Sequence, residues 1–106
     1  LKTTNLTIAA TGGSGTNRNI STVSVSSVLA AAATTDYVIV ASAGVQLTMP
    51  TAVSNTNLYT IKNSAASSVM VAAAGAQTID GSANITLTTQ YTAVDLISDD
   101  ANWHVT

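Results

Sequence analysis

The chain has no cysteine, no phenylalanine and no glutamate, and only one proline. Without cysteine no disulfide framework supports the fold, so packing and hydrogen bonding must hold it. Missing glutamate and only three lysines and arginines remove the residues that usually cover exposed helix faces. Charged residues make up 8% of the chain and aromatics 4%, against about 25% charged in an average soluble protein. Lys2, Arg18 and Lys62 form no cluster and the net charge is -2, which argues against nucleic acid as a partner. No apolar run approaches the roughly 20 residues of a membrane-spanning helix, so no membrane insertion is expected. No basic-then-apolar leader is visible. A first residue of Leu1 rather than Met suggests a processed or recombinant fragment of something longer.

What is there points to strands. Threonine supplies 18 residues, serine 12 and alanine 18, within a chain that is 46% hydrophobic. Thr and Val favour pleated, half-buried surfaces. A length of 106 residues gives one domain, or one domain with a short leader. Core-forming side chains are small, with three Tyr and one Trp as the only large rings. Small domains bury only about 60–65% of their unfolded surface. A thin core without staples is better explained if the chain buries surface against copies of itself. A compact monomeric sandwich with a Val-rich core is the alternative.

Residues 1–10 place Leu6, Ile8 and Ala10 at alternate positions and read as a short strand. Residues 11–17 are a Gly-rich polar loop or linker. Residues 20–28 alternate weakly through Val23 and Val25, and 28–33 offer a short helix as the minority reading. Residues 1–33 are therefore set apart as a leader or stalk-proximal segment, and 34–106 as the main β-rich domain. From Thr34 the pattern sharpens. Residues 37–41 form an apolar strand, and Val45, Leu47 and Met49 alternate cleanly; Ser42-Ala43-Gly44 between them predicts a tight hairpin. Pro50 ends that strand because it cannot donate to a ladder. Residues 51–57 are a polar loop. Further strands are predicted over 58–63, 68–73, 77–79 and 85–88, with Asp80-Gly81 a hairpin signal.

The end of the chain carries the clearest pattern. Thr92, Val94, Leu96 and Ser98 fall on one face of a strand, and Tyr91, Ala93, Asp95 and Ile97 on the other. Apolar groups on both faces suggest cover from two sides, one of them another subunit. Asp99, Asp100 and Asn102 supply turn chemistry, and Trp103 returns to seal a core. Short strands punctuated by turns predict an all-β fold, a small antiparallel β-sandwich or barrel-like domain.

Chemistry is sparse. His104 is the only histidine, and Asp95, Asp99 or Asp100 could orient it as a base, although an exposed hairpin histidine explains it as well. There is no Cys nucleophile and no Gly-X-Ser-X-Gly elbow. Asp99-Asp100 lacks the spaced oxygen ligands of a calcium loop. Gly12-Gly13-Ser14-Gly15 lacks the lysine of a phosphate loop. Tyr37, Tyr59, Tyr91 and Trp103 could stack on sugars, but aromatics in strands more often fill cores. No enzyme, cofactor or metal site is read here.

Five elements in order carry a resemblance: Asp36-Tyr37-Val38-Ile39-Val40; Val45-Gln46-Leu47-Thr48-Met49-Pro50-Thr51-Ala52; Tyr59-Thr60-Ile61-Lys62-Asn63; Gln77-Thr78-Ile79-Asp80-Gly81; and Tyr91 through Ser98-Asp99 to Asn102-Trp103-His104. Over residues 34–106 the chain resembles the C-terminal tip domains of bacteriophage tail fibres and related trimeric fibre proteins. The resemblance implies an intertwined or three-fold homotrimer, a fibre head on the virion that binds a host receptor, a surface glycan or protein. Asp100-Ala101 departs from the family's last turn, which often has Gly after the Asp. No receptor-binding residues carry over, so the loop candidates are Asn55, Asn57, Asp99, Asp100 and Asn102. A capsid decoration or trimerisation domain without a receptor is the alternative, and a glycan-degrading enzyme comes last, for want of paired carboxylates.

Overall fold

The structure, a computed structural model, describes residues 18–32 and 35–106. The strand and loop expected over residues 1–17 lie outside the described residues. Among these residues there are nine strands, β1 (Arg18–Val23), β2 (Ser27–Val28), β3 (Asp36–Ala41), β4 (Gln46–Thr48), β5 (Tyr59–Asn63), β6 (Val69–Ala72), β7 (Asn84–Leu87), β8 (Ala93–Ser98) and β9 (Trp103–Val105). No helix occurs among the described residues. The all-β expectation holds among these residues, and most strands fall close to where alternation placed them; the strand expected over 77–79 is instead a pair of isolated bridges at Ile79, to Ser82 and Trp103.

Their pairing corrects the antiparallel expectation. One sheet has the order β1-β3-β5-β8-β9 and the other β2-β4-β6-β7. Within each, the first three strands run parallel, and only β7, β8 and β9 pair antiparallel. From β1 to β6 the chain therefore alternates between sheets, as a flattened coil. Residue 20 lies beside residue 38, and residue 38 beside residue 60; in the other sheet residue 28 lies beside 48, and 48 beside 72. Parallel neighbours need a crossover connection. Here a strand of the opposite sheet supplies it.

Ser42-Ala43-Gly44 is thus not a hairpin but a corner that passes the chain from one sheet to the other. The corners stack. Ser42 N–H donates to the Val23 carbonyl and Ser64 N–H to the Ala41 carbonyl, both at 2.9 Å. A Cβ built on Gly44 would lie 2.9 Å from the Ser67 Cβ and 3.2 Å from the Ser68 carbonyl oxygen, so glycine lets neighbouring corners touch. Asn63 sits inside this corner, fully buried. Its Nδ2 donates to the carbonyls of Ser67 (2.9 Å) and Leu87 (3.0 Å), and its Oδ1 accepts from the Ala65 N–H (2.8 Å). A buried amide is tolerated when its donors and acceptor are paired in this way.

The two sheets face each other across one apolar cluster. Tyr37, Ile39, Ile61, Leu96 and Trp103 come from one side, and Leu47, Val69, Val71 and Leu87 from the other. Each fully buried Val, Leu or Ile contributes about 1.5–3 kcal/mol. Tyr37 and Tyr59, register partners on β3 and β5, stack with centroids 5.1 Å apart. Trp103 meets Tyr59 edge-on at 5.2 Å. Three of the four aromatics are core, as expected of rings in strands. Tyr91 is not: it is 65% exposed, has φ 68, precedes β8 and lies 5.6 Å from the Lys62 ammonium.

Asp80-Gly81 does form the expected tight turn. Both residues have positive φ (50 and 84), and Ile79 and Ser82 exchange both backbone hydrogen bonds across it. Asp99 to Asn102 likewise closes the β8–β9 hairpin, where Ser98 pairs with Trp103.

Candidate functional site

One end of the coil gathers residues 29–32 and 49–58, which lead back toward the five-stranded sheet, together with the β8–β9 turn. The residues favoured as loop candidates meet here. Ser54 N–H donates to the Asp100 Oδ1 at 2.6 Å, and the Ser98 hydroxyl donates to the Ala52 carbonyl, which ties residues 51–57 to the terminal turn. Gln77, which the sequence did not single out, braces the same loop. Its Oε1 accepts from Ala52 N–H (2.8 Å) and its Nε2 donates to the Thr51 hydroxyl (2.9 Å). No local motif marks Gln77, because its partners lie 25 and 26 positions away.

Each candidate side chain has internal work. Asn55 accepts from Asn57 N–H (3.0 Å) and donates to the Tyr59 hydroxyl (3.1 Å). Asn57 is buried, and its amide donates to the Ala32 carbonyl at 2.8 Å. Asn102 accepts from Thr78 N–H at 2.9 Å. Asp99 accepts from the N–H groups of Ala101 (2.9 Å) and Asn102 (2.7 Å), which is the role of an Asp at the start of a turn. Beside Asn55 and Asn57 lies an open groove of about 200 Å³, lined also by Ala31, Thr51, Val53 and Ser54; Asp99, Asp100 and Asn102 are not part of its lining. Enclosed small-molecule sites usually run from about 300 to 1,000 Å³. This groove has room for a sugar ring or a few hydroxyl groups at an open surface.

His104 projects from β9 near the same end. Its Nε2 lies 2.7 Å from Asp99 Oδ2 and its Nδ1 3.7 Å from Asp80 Oδ1. The Asp99 contact is within hydrogen-bonding distance and the Asp80 contact is beyond it. Of the three aspartates that might have oriented it, only Asp99 does; Asp95 takes the Thr60 hydroxyl (2.6 Å) and Asp100 the Ser54 N–H. No group of three His, Cys, Asp or Glu side chains suited to a metal occurs among the described residues. No helix among them is long and apolar enough to cross a membrane.

Two groups are shifted. Burial raises the Tyr59 hydroxyl above its ordinary value, against the opposing hydrogen bonds from Asn55 and Asn57. The Asn102 N–H, then His104 and the Ala101 N–H, lower the Asp99 carboxyl from 3.8 to about 2. A depressed folded value means the turn's contribution is fully present above 3.8 and is lost as pH falls through about 2. The thermal midpoint is therefore expected to drop between pH 4 and pH 2, and Asp99→Asn to flatten that drop. Parallel acid profiles for the two proteins would remove Asp99 as the cause.

A second surface is apolar. The outer face of the five-stranded sheet presents Ile20 (70% exposed), half-buried Val38 and Val40, exposed Ala93 and Ile97 (42% exposed), interspersed with Thr22 and Thr60. Asp95, Lys62 and His104 occupy the remaining outward positions of β5, β8 and β9. Leu96 is buried on the inner side of the same strand. Alternation on β8 thus leaves one of its two apolar faces uncovered by the described residues.

No protein-family description and no curated protein matches the chain.

Proposed function

We propose that this chain is a structural and attachment module: the head of a homotrimeric fibre on a phage-type virion, which binds a host-surface molecule, a glycan rather than a protein. The observation that carries the reading is the uncovered outer face of the five-stranded sheet. Ile20, Val38 and Val40 adjoin on β1 and β3, and Ala93 and Ile97 flank Asp95 on β8 beyond Thr60 and Lys62; a second copy laid on this face would bury them together. Small residues such as Ala93 and Thr22 allow sheets of neighbouring subunits to approach closely. The order of the five sequence elements that resemble fibre tips supports the same reading. The small open groove beside Thr51 and Ser54 suits hydroxyl-rich ligands.

Light scattering coupled to size-exclusion chromatography tests the assembly. The native chain is expected at the mass of three subunits, and Ala93→Asp or Ile97→Asp at the mass of one, because each places a carboxylate in the buried seam. A native monomer, or mutants with unchanged mass, counts against the fibre head. Binding to host cells or to purified envelope glycans tests attachment.

One observation favours the alternative, a decoration or trimerisation domain without a receptor. Asn55, Asn57, Asp99, Asp100 and Asn102 each commit at least one polar side-chain atom to this chain's own backbone or side chains. A trimer that binds neither cells nor glycans identifies that role.

A further inference from the structure

At the corner end of the five-stranded sheet, away from the groove beside Asn55, Tyr91 is held in a conformation that its side chain disfavours. Its φ is 68, and the other non-glycine residues with positive φ among those described are Ser54, Asp80 and Asp100, all short and polar. A bulky side chain in the left-handed region is an outlier. The turn that imposes it is well tied. Tyr91 N–H donates to the Asn63 carbonyl, Asn63 N–H to the Thr92 carbonyl (2.9 Å), and Gln90 Nε2 to the Ser64 carbonyl (3.1 Å). None of these bonds uses the tyrosine side chain, so a glycine at position 91 would keep them all without the steric cost. The ring is exposed and touches the fold through the Lys62 ammonium, 5.6 Å from its centroid. A cation–π contact at an exposed site returns less than the left-handed conformation costs a bulky residue. Folding alone does not account for a tyrosine here.

Lys62 is left without an acid. It projects from the outer face of β5, with Val40 and Ala93 as its uncharged register neighbours. The only acidic side chains in the sequence are Asp36, Asp80, Asp95, Asp99 and Asp100. Each is bonded elsewhere: Asp36 to Leu58 N–H, Asp80 to Val105 N–H, Asp95 to the Thr60 hydroxyl, Asp99 to Asn102 N–H and Asp100 to Ser54 N–H. The ion pairs among the described residues all belong to His104. An aromatic ring and an unneutralised ammonium thus stand side by side at the surface. We infer that Tyr91 and Lys62 form a binding site for an acidic sugar, a pyranose that lays a C–H face on the ring and sets its carboxylate against the ammonium. The electron-rich face of the ring attracts the sugar's C–H groups, and the ammonium gives the carboxylate charge-assisted hydrogen bonds. A neutral sugar lacks the second contact and a bare anion lacks the first. The site names a ligand class for the attachment role proposed above and rests on that reading, but it needs no second copy.

Titration of the full chain with trigalacturonate, followed by NMR amide shifts, tests the site, with the methyl ester of the same trisaccharide as the uncharged control. Saturable shifts are expected at residues 61–63 and 90–92, with the ester binding about 10-fold more weakly than the acid. Lys62→Gln keeps most of the stem and is expected to bind acid and ester equally. Tyr91→Gly is expected to lose about 10-fold in affinity for both, while its thermal midpoint holds or rises because glycine accepts the positive φ. Absence of saturable shifts in the native chain overturns the inference, as does a Lys62→Gln protein that still prefers the acid. A lower midpoint for Tyr91→Gly overturns it because the ring then serves the fold. A changed mass in light scattering does so because a second copy then uses the ring. Native protein that binds host cells but not the uronate removes this site and leaves the attachment role standing; uronate binding without cell binding supports the site and removes that role.

Discussion

Trp103→Ala is expected to cost about 3–5 kcal/mol, the usual range for deleting a buried large aromatic. Total stabilities of about 5–15 kcal/mol leave little margin after such a loss. Trp103 is fully buried, meets Tyr59 edge-on, and donates its Nε1–H to the Pro50 carbonyl at 3.2 Å. Its backbone N–H also donates to the Thr78 carbonyl at 2.8 Å, which fastens the terminal hairpin to the segment before the Asp80-Gly81 turn. The residue therefore joins three parts of the chain that no neighbouring sequence joins. Urea unfolding followed by circular dichroism measures the change. Trp103→Phe keeps one buried ring but loses the Nε1–H bond and part of the ring volume, so a smaller loss of about 1–3 kcal/mol is expected. Equal midpoints for the native protein and Trp103→Ala would show that the hairpin does not seal the core.

Asn63→Ala is the second large effect, at about 2–4 kcal/mol, because it orphans three buried backbone groups at once. The carbonyls of Ser67 and Leu87 lose their donors and Ala65 N–H loses its acceptor. Asn63→Asp separates this account from mere loss of volume. The carboxylate still accepts from Ala65 but faces two carbonyls it cannot bond, at a fully buried position. Burial and those carbonyls raise its folded pKa above the ordinary value of about 3.9. Its neutral form can donate one bond, so the variant's stability is best below that value and falls as pH rises through the folded pKa. Relative to native protein, Asn63→Asp should gain stability on acidification. A pH-independent difference would sink the hydrogen-bonding account.

Strand positions were legible because a period of two survives any topology. Tyr37, Ile39 and Ala41 point inward whether β3 pairs parallel or antiparallel, and the same holds for Tyr59, Ile61 and Asn63. Positive φ at Asp80 and Gly81 was legible too, since few other residue pairs adopt it readily. Pairing was not. Small polar residues such as Ser42-Ala43-Gly44 serve a hairpin and a corner equally well, because both ask only for a sharp change of direction. The coil also hides its own repeat, since successive rows advance by unequal numbers of residues, from 20 to 38 to 60 in one sheet and from 28 to 48 to 72 in the other.

At the candidate site, composition pointed to loops that the fold ties together, but not to what their side chains bond. Asn and Asp are favoured in exposed recognition loops and in turns for the same reason, a short side chain rich in hydrogen-bonding atoms. Which use applies depends on what lies within 3 Å, and for Asp100 that is Ser54, 46 positions earlier. By itself the sequence determined the all-β character of the described residues, the positions of most of their strands, the closing hairpin and the doubled apolar pattern of β8, all local consequences of side-chain period and backbone preference. Only the tertiary structure decided that the first six strands coil in parallel, that Asn63 and Gln77 hold loops in place, and which face of β8 stays open. Those outcomes depend on contacts between residues distant in sequence, whose partners are set by packing and not by any preference of the residues alone.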